Sequence, residues 1–292
     1  MNENLKEKDL RVIGVGDAGG LHPSTVYGPV SSWRFGSSLG VDLILQASVC
    51  SFNCVYCQLG AIQVVTAERR LFVTTERVMA DLEKADWQGA DLVTFSGSGE
   101  PTLALNLGEA VRAVKERTGI TTHVLTNGTL LHLPEVREAL CGADRVSVKI
   151  DAPDEAMFQR VNRPAPGVTL AGIVEATIKF KQEFSGHMDS QVMFMPVNRA
   201  MTEKLCELLN KIRPDEVQLN TPRRAYPSEW FIETRGRYDY EKAPAKISEL
   251  RTLGFDEAEA VEKIIREKTG LLVSSIYNGV ERFTHTSKGG FP

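Results

Sequence analysis

Short runs of apolar, often β-branched residues alternate along this chain with longer stretches whose apolar residues recur every three or four positions. The first kind reads as buried strand and the second as amphipathic helix. Strands are expected at residues 41–46, 91–96, 121–126, 145–150, 191–195 and 216–220. Helices are expected at 75–84, 107–117, 134–140, 168–184 and 202–212. Gly119 closes the second of these, Pro134 sits in the first turn of the third, and Thr202 is a ready N-cap for the last. Residues 64–74 are β-branched and apolar enough for an extended pair or hairpin. Strand and helix thus alternate over about 180 residues, the pattern of a parallel sheet with right-handed crossovers. Six units are fewer than the eight of a closed barrel. Beyond Thr221 the pattern breaks at Pro222, Arg223, Arg224, Pro227 and Trp230. Two short helices, 243–253 and 256–268, and a last strand, 271–276, are expected after it. The chain divides into a lead-in (1–40), an α/β core (41–222) and a small α+β extension (223–292).

Composition narrows the class without fixing it. Of the 292 residues, 42% are hydrophobic and 25% charged, ordinary for a globular protein. No apolar run reaches bilayer length, and the start, MNENLKEKDL, lacks a signal peptide's apolar core. These point to a cytoplasmic protein, no membrane partner and reduced thiols. The net charge of −4 argues against holding nucleic acid through an overall field.

Three of the five cysteines, Cys50, Cys54 and Cys57, fall within eight residues as C-x3-C-x2-C. They follow the first expected strand, so they sit on a loop at a strand's carboxyl end, where α/β sheets bind ligands. Thiolates select iron–sulfur clusters, zinc or copper(I). On a four-iron cluster, three thiolates leave one iron open. A zinc site would need a fourth ligand, and zinc motifs usually come as two close pairs. His22 lies upstream in a Gly/Pro-rich segment, and His123 falls in an expected strand.

Polar residues gather at the other strand ends. Ser98-Gly99-Glu100-Pro101 offers a carboxylate suited to an ammonium, and glycine backbone that a ligand can approach closely. Thr126-Asn127-Gly128 follows the third strand as a turn. Ser147, Lys149 and Asp151 alternate on one face of the fourth. Asn198, Gln218 and Asn220 are further polar groups. Gly14-x-Gly16-x-x-Gly19 matches a dinucleotide fingerprint, but Gly20 and Pro23 oppose the helix it needs. Cys141 and Cys206, in expected helices, read as small buried hydrophobes. Arg34, in the Gly/Ser-rich segment before the core, is a candidate anion contact.

The cysteine spacing, with Tyr56 before the third cysteine and Gly99-Glu100-Pro101 downstream, resembles the radical S-adenosylmethionine (radical SAM) superfamily over about residues 27–222. The resemblance implies an open, TIM-like partial (β/α)6 barrel, a 4Fe-4S cluster and S-adenosyl-L-methionine (SAM). In that family the open iron chelates the amino and carboxylate groups of SAM. Reductive cleavage then gives methionine and a 5′-deoxyadenosyl radical that abstracts hydrogen from a substrate. The metal ligands would be Cys50, Cys54 and Cys57. Ser98, Gly99 and Glu100 look like the family's Gly-Gly-Glu motif for the methionine ammonium, with Ser98 in place of the first glycine. Tyr56 would lie against the adenine, with Met193 and Met195 as core or adenine packing, and Thr126 and Asn127 near the adenosyl group or substrate. Residues 145–151 resemble a strand of the molybdenum-cofactor GTP cyclase, so Ser147, Lys149 and Asp151 would face the ribose and methionine; Lys149 stands where serine is commoner. Arg160 or Arg163 would hold the methionine carboxylate. Residues 27–42 look like the lead-in of wyosine-type tRNA-modifying enzymes, although no second cysteine triad is present. The implied partners are a reductant such as flavodoxin or ferredoxin and a substrate that is a nucleobase, nucleoside, other small molecule or tRNA base. A non-catalytic iron–sulfur or zinc protein, or a tRNA-binding module, are the rival classes.

Overall fold

The structure, a computed structural model, describes residues 23–236 and 238–277. The glycine motif at 14–19 and His22 lie outside the described residues. Twelve strands and seven helices follow in chain order: β1 (Val26–Ser32), β2 (Gly36–Val41), β3 (Val49–Cys50), β4 (Val64–Val65), α1 (Thr75–Leu82), β5 (Leu92–Phe95), α2 (Leu107–Thr118), β6 (Thr122–Thr126), α3 (Pro134–Leu140), β7 (Arg145–Lys149), α4 (Glu155–Val161), α5 (Leu170–Glu183), β8 (His187–Met193), α6 (Thr202–Ile212), β9 (Glu216–Asn220), β10 (Tyr226–Pro227), β11 (Ile247–Ser248), α7 (Phe255–Thr269) and β12 (Leu272–Ser275). Eight strands form one sheet in the order β1-β2-β5-β6-β7-β8-β9-β12. Every neighbouring pair is parallel except β1 with β2. The six units from β2 to β9 are the expected (β/α)6 half-barrel, open between its edge strands.

Hydrophobicity is distributed over this sheet in an unusual sense. Residues facing the helices are apolar and fully buried: Val93, Phe95, Val124, Val146, Val148, Met188, Val192, Val217 and Leu219. Residues facing the concave interior are mostly polar, Ser38, Thr94, His123, Ser147, Gln191 and Gln218, with Leu125 and Met193 as apolar exceptions. The core therefore lies between sheet and helices. The interior is left mostly to hydrogen-bonding groups, which a chain keeps buried only when they are partnered or serve a ligand.

Four local expectations are corrected. The first parallel strand ends at Val41, where the apolar run 41–46 was expected to begin it. Asp42 Oδ1 accepts the amides of Ile44 (3.0 Å) and Leu45 (3.1 Å), turning the chain so that the run enters the core as a loop. Residues 64–74 contribute only β4, paired in parallel with β3. Strand β8 starts four residues early because its polar Asp189-Ser190-Gln191 centre is buried rather than turned to solvent. No helix forms at 243–253: Ile247 and Ser248 pair with Pro227 and Tyr226 in the β10–β11 ribbon, and Lys246 O accepts Ser228 N–H (2.7 Å), which holds the segment extended after a 3-10 turn at Tyr240–Lys242. The expected last helix and strand are α7 and β12, and α7 packs against α6.

Candidate cluster and cofactor site

The cysteine loop is fixed from two sides by backbone hydrogen bonds. Val49 N–H donates to Ser98 O (2.9 Å) and Glu100 N–H donates to Val49 O (3.1 Å), clamping β3 to the segment after β5. Gly99 is obligatory in this clamp, since a Cβ there would lie 1.7 Å from Val49 O. On the far side, Asn53 N–H donates to Asn162 O (3.0 Å) and Val55 N–H to Val161 O (2.9 Å). Phe52 also meets Phe158 edge-to-face at 5.2 Å. The sequence reading had no helix at 155–161. Asp154 caps α4 through Met157 N–H, and α4 then carries the cluster loop. Cys54 O accepts Cys57 N–H (3.1 Å), and Cys57 O accepts Gly60 N–H (3.0 Å), a tight double turn that brings the second and third thiols together on the loop.

Two side-chain amides aim at the sulfurs: Asn127 Nδ2 lies 3.5 Å from Cys50 Sγ and Asn162 Nδ2 3.5 Å from Cys54 Sγ. Such N–H groups tune a metal-bound thiolate. Without metal, burial holds all three thiols protonated. It pushes Cys50 well above the ordinary thiol range, Cys54 up to about 12 and Cys57 up to about 11. Coordination removes that proton outright. All three cysteines line one cavity, and three thiolates on one loop are the donor set of a four-iron cluster with one iron left open. In a cuboidal cluster each thiolate meets a different iron.

That cavity has a volume of about 490 Å³ and runs from the cysteines past Glu100, Thr126, Asn127, Ser147, Lys149, Gln191 and Met193 to the β1–β2 turn at Trp33, Arg34 and Phe35. Glu100 is buried at its upper wall. Its Oε1 accepts Thr102 N–H (3.0 Å) and the Thr102 and Thr126 hydroxyls (2.7 Å each), and its Oε2 accepts Asn127 N–H (2.7 Å). Burial raises its pKa against the pull of those donors. One acceptor position on Oε2 stays open. Lys149 pairs with Asp151 (3.1 Å) and lies 5.2 Å over the Tyr56 ring. Tyr56 donates its hydroxyl to Asp151, whose carboxylate also takes Asn162 Nδ2 (2.8 Å) and Met193 N–H (2.7 Å).

Four of the expected contact residues are not on the cavity wall. Ser98 is buried behind it, donating to Asp42 Oδ2 at 2.6 Å. Asp151 likewise acts from behind, on Tyr56 and Lys149. Arg160 and Arg163 are exposed: α4 turns Met157, Phe158 and Val161 inward and so turns Arg160 out, and Arg163 lies beyond the end of α4.

Deeper in the cavity, Ser147 donates to Asp189, so its oxygen accepts the Nε2–H of His123 (2.7 Å). This chain fixes His123 as the Nε2–H tautomer. Burial, reinforced by Arg34 and Arg145, keeps its ring neutral, with a pKa well below the ordinary value. Sequence reasoning missed Asn162, Asp42, His123 and Asp189 as parts of the site. Asn162 stands between the two arginines that were singled out, and Asp189 carries the same inward alternation seen at Ser147 and Lys149, two strands' worth of pattern that one strand alone concealed.

The half-barrel and its thiol-lined cavity define a class, and comparison with known proteins gives the same one: the chain belongs to the radical SAM superfamily, whose sequence profile matches residues 46–209. Members are enzymes that use a 4Fe-4S cluster and SAM. A UPF0026 protein from Synechocystis is 47% identical over 215 residues, 73% of this chain and 81% of the relative, which places the chain among the UPF0026 proteins. A probable GTP 3′,8-cyclase from Saccharolobus islandicus is 29% identical over 128 residues, 44% of this chain and 40% of the relative. Among solved structures, SuiB of Streptococcus suis bound to its precursor peptide SuiA superposes with a TM-score of 0.55 at 14% identity, over 86% of this chain and 53% of SuiB. The chain thus spans about half the length of that protein, and the likeness is one of fold. No helix among the described residues is long and apolar enough to cross a membrane.

Proposed function

We propose that this protein is a cytoplasmic radical SAM enzyme in which Cys50, Cys54 and Cys57 hold the cluster and the cavity below them holds SAM and a substrate. When bound, the reduced cluster supplies the electron that splits SAM to methionine and a 5′-deoxyadenosyl radical, which takes a hydrogen atom from the substrate. The chain's own task is to bind, orient and keep water out. Gly99, whose missing side chain lets Val49 O close the clamp, sets Glu100 at the wall, and the open Oε2 position of Glu100 receives the methionine ammonium. Lys149, held by Asp151, supplies the cation for the methionine carboxylate, the role the exposed Arg160 and Arg163 do not fill. Tyr56 stands beside the cluster as a wall for the adenine. Thr126 and Asn127 fix Glu100, and Asn127 also reaches Cys50. Ser147 stands lower, near the ribose or substrate. A flavodoxin or ferredoxin supplies the electron.

The observation that carries this reading is the thiol arrangement: three half-buried thiols on one loop, opening on one large cavity. The substrate class is open among nucleobase or nucleoside, small molecule and tRNA base. The name of the Saccharolobus relative makes a purine nucleotide the first to try. The test is anaerobic reconstitution with iron and sulfide, then dithionite and SAM, with 5′-deoxyadenosine measured by chromatography. Product in the wild type and none in Cys54→Ala supports the proposal. Protein that carries zinc, takes up no iron and forms no product overturns it in favour of a structural metal site.

A further inference from the structure

At the opposite end of the cavity from the cysteines, one cation has no bonded acceptor among the described residues. Arg34 lies in the turn between β1 and β2, level with the amino ends of the parallel strands. Its Nε is buried without a partner. Its guanidinium lines the cavity, packed 5.2 Å from the adjacent Trp33 ring, and it forms no ion pair among the described residues. The other deeply placed cations are all matched. Arg137 meets Glu183 (2.6 Å), Arg235 meets Asp42 (3.2 Å), Lys149 meets Asp151 (3.1 Å), and Arg145 meets Asp189 and Glu216 (3.6 Å each).

Counted as formal charges, the floor balances: Arg34 and Arg145 against Asp189 and Glu216. Its geometry does not. Asp189 is turned to Ser147 and Arg145, and Glu216 to Arg145, His187 (3.5 Å) and Ser274. The Arg34 fork is left without an acceptor. A desolvated charge is costly until something neutralises it. Burial lowers the Arg34 pKa only to about 10, so the group stays cationic at neutral pH.

We propose that the substrate carries a carboxylate or phosphate group and that Arg34 receives it at the floor of the cavity. This rests on the cavity being the substrate site. A guanidinium fork matches either anion in a bidentate fashion. The position also separates this anion from the methionine carboxylate of SAM. Arg145 and Lys149 mark the floor and the upper end of β7, four residues apart, roughly 13 Å at the strand rise. A group bound at Arg34 therefore belongs to a molecule reaching down the barrel, away from the cysteines.

The test needs no turnover. The anaerobically reconstituted protein is melted in acetate, in inorganic phosphate and in acetamide, with chloride keeping ionic strength constant. Iron content and SAM cleavage are recorded separately, so that a failure of the enzyme assignment is not confused with a failure here. Expected are saturable rises in Tm with acetate and phosphate, none with the neutral isostere acetamide, and persistence of the phosphate effect when SAM is present. Arg34→Met weakens the apparent phosphate affinity by about tenfold or more, whereas the mouth variant Arg223→Ala, on the cavity wall just past the carboxyl end of β9, keeps it. Arg34→Lys, retaining charge without the fork, keeps part of the effect and serves if the methionine variant does not fold. An acetamide response equal to that of acetate, loss of the phosphate effect on adding SAM, an unchanged affinity in the Arg34 variants, or loss of the effect in the mouth variant alone would each overturn the proposal.

Discussion

The carboxylates at the upper end of the barrel interior are held chiefly by backbone amides and hydroxyls, with Lys149 and Arg235 added at Asp151 and Asp42, whereas those at the floor lean on other charges. Glu100 takes two backbone amides and two hydroxyls, and Asp42 takes the amides of Ile44 and Leu45 with the Ser98 hydroxyl before Arg235 reaches it. At the floor, Arg145 bridges Asp189 and Glu216 at 3.6 Å and His187 approaches Glu216 at 3.5 Å. Backbone donors cannot move without moving a strand, so the upper end is set by covalent geometry and tolerates little displacement. Charges a few tenths of an ångström beyond hydrogen-bond length can rearrange, so the floor should answer to pH and to added ions. If the upper end places the cofactor and the floor takes the substrate, as proposed, a rigid upper end and an adjustable floor are a sensible division.

The largest effect should come from breaking the upper end. In Gly99→Ala the new methyl would sit 1.7 Å from Val49 O, and β3 must leave the clamp that positions Cys50. The expected loss is on the order of 3 kcal/mol or more, with cluster occupancy falling well below that of wild type by iron and sulfide assay. Gly119→Ala is the control. Gly119 also has a positive φ (67°), but nothing lies near the added methyl, so it should cost about 1 kcal/mol and leave iron content unchanged. Full iron loading in Gly99→Ala would show that the upper end is not fixed by backbone contact.

The floor should show a smaller and pH-dependent response. Burial pushes Asp189 up to about 6, above its unfolded value, despite Ser147 and Arg145 pulling it down. A raised carboxylate pKa means the folded state resists ionisation. The wild type is therefore favoured at pH 4 and loses stability as pH rises to about 6, by on the order of 2–3 kcal/mol over that interval. Asp189→Asn removes this titration while leaving Ser147 a partner. Urea midpoints at intervals from pH 4 to 7 should show the variant gaining on wild type up to about pH 6 and running parallel above it. Parallel curves throughout would mean that Asp189 is ionised freely and that the floor is no softer than the upper end.

The same contrast explains what could be read from residue order. The upper end was legible because its chemistry is local: a cysteine triad within eight residues and Ser98-Gly99-Glu100 in succession. The helices and most strands were legible because their helix-facing sides are apolar. The floor was not, because it is assembled from the first residues of β7, β8 and β9, distant in sequence and polar where a strand is expected to be apolar. Asp189-Ser190-Gln191 reads as loop until the strand is known to face a polar interior. The apolar run 43–45 reads as strand until Asp42 is seen to turn the chain. Helix α4 is seven residues long with three inward apolar side chains, too short for periodicity to announce.

That short helix supplies the smallest expected effect and the sharpest check on where the binding wall lies. Met157, Phe158 and Val161 define its buried face. Arg160 is two residues on from Phe158, about 200° around the helix at 3.6 residues per turn. Its contribution is then that of a surface cation in a last helical turn, a few tenths of a kcal/mol from the helix dipole. Arg160→Ala should shift the unfolding free energy by no more than about 0.5 kcal/mol and leave the SAM dissociation constant of the reconstituted protein within about twofold, measured by equilibrium dialysis. Lys149→Ala, on the cavity wall, should weaken SAM by about tenfold or more, since it removes the cation beside the cluster and leaves Asp151 less well matched. If Arg160 rather than Lys149 proves to carry the affinity, α4 must swing inward when SAM binds. The loop it anchors through Asn53 and Val55 would then move with it, and the upper end would be the adjustable one.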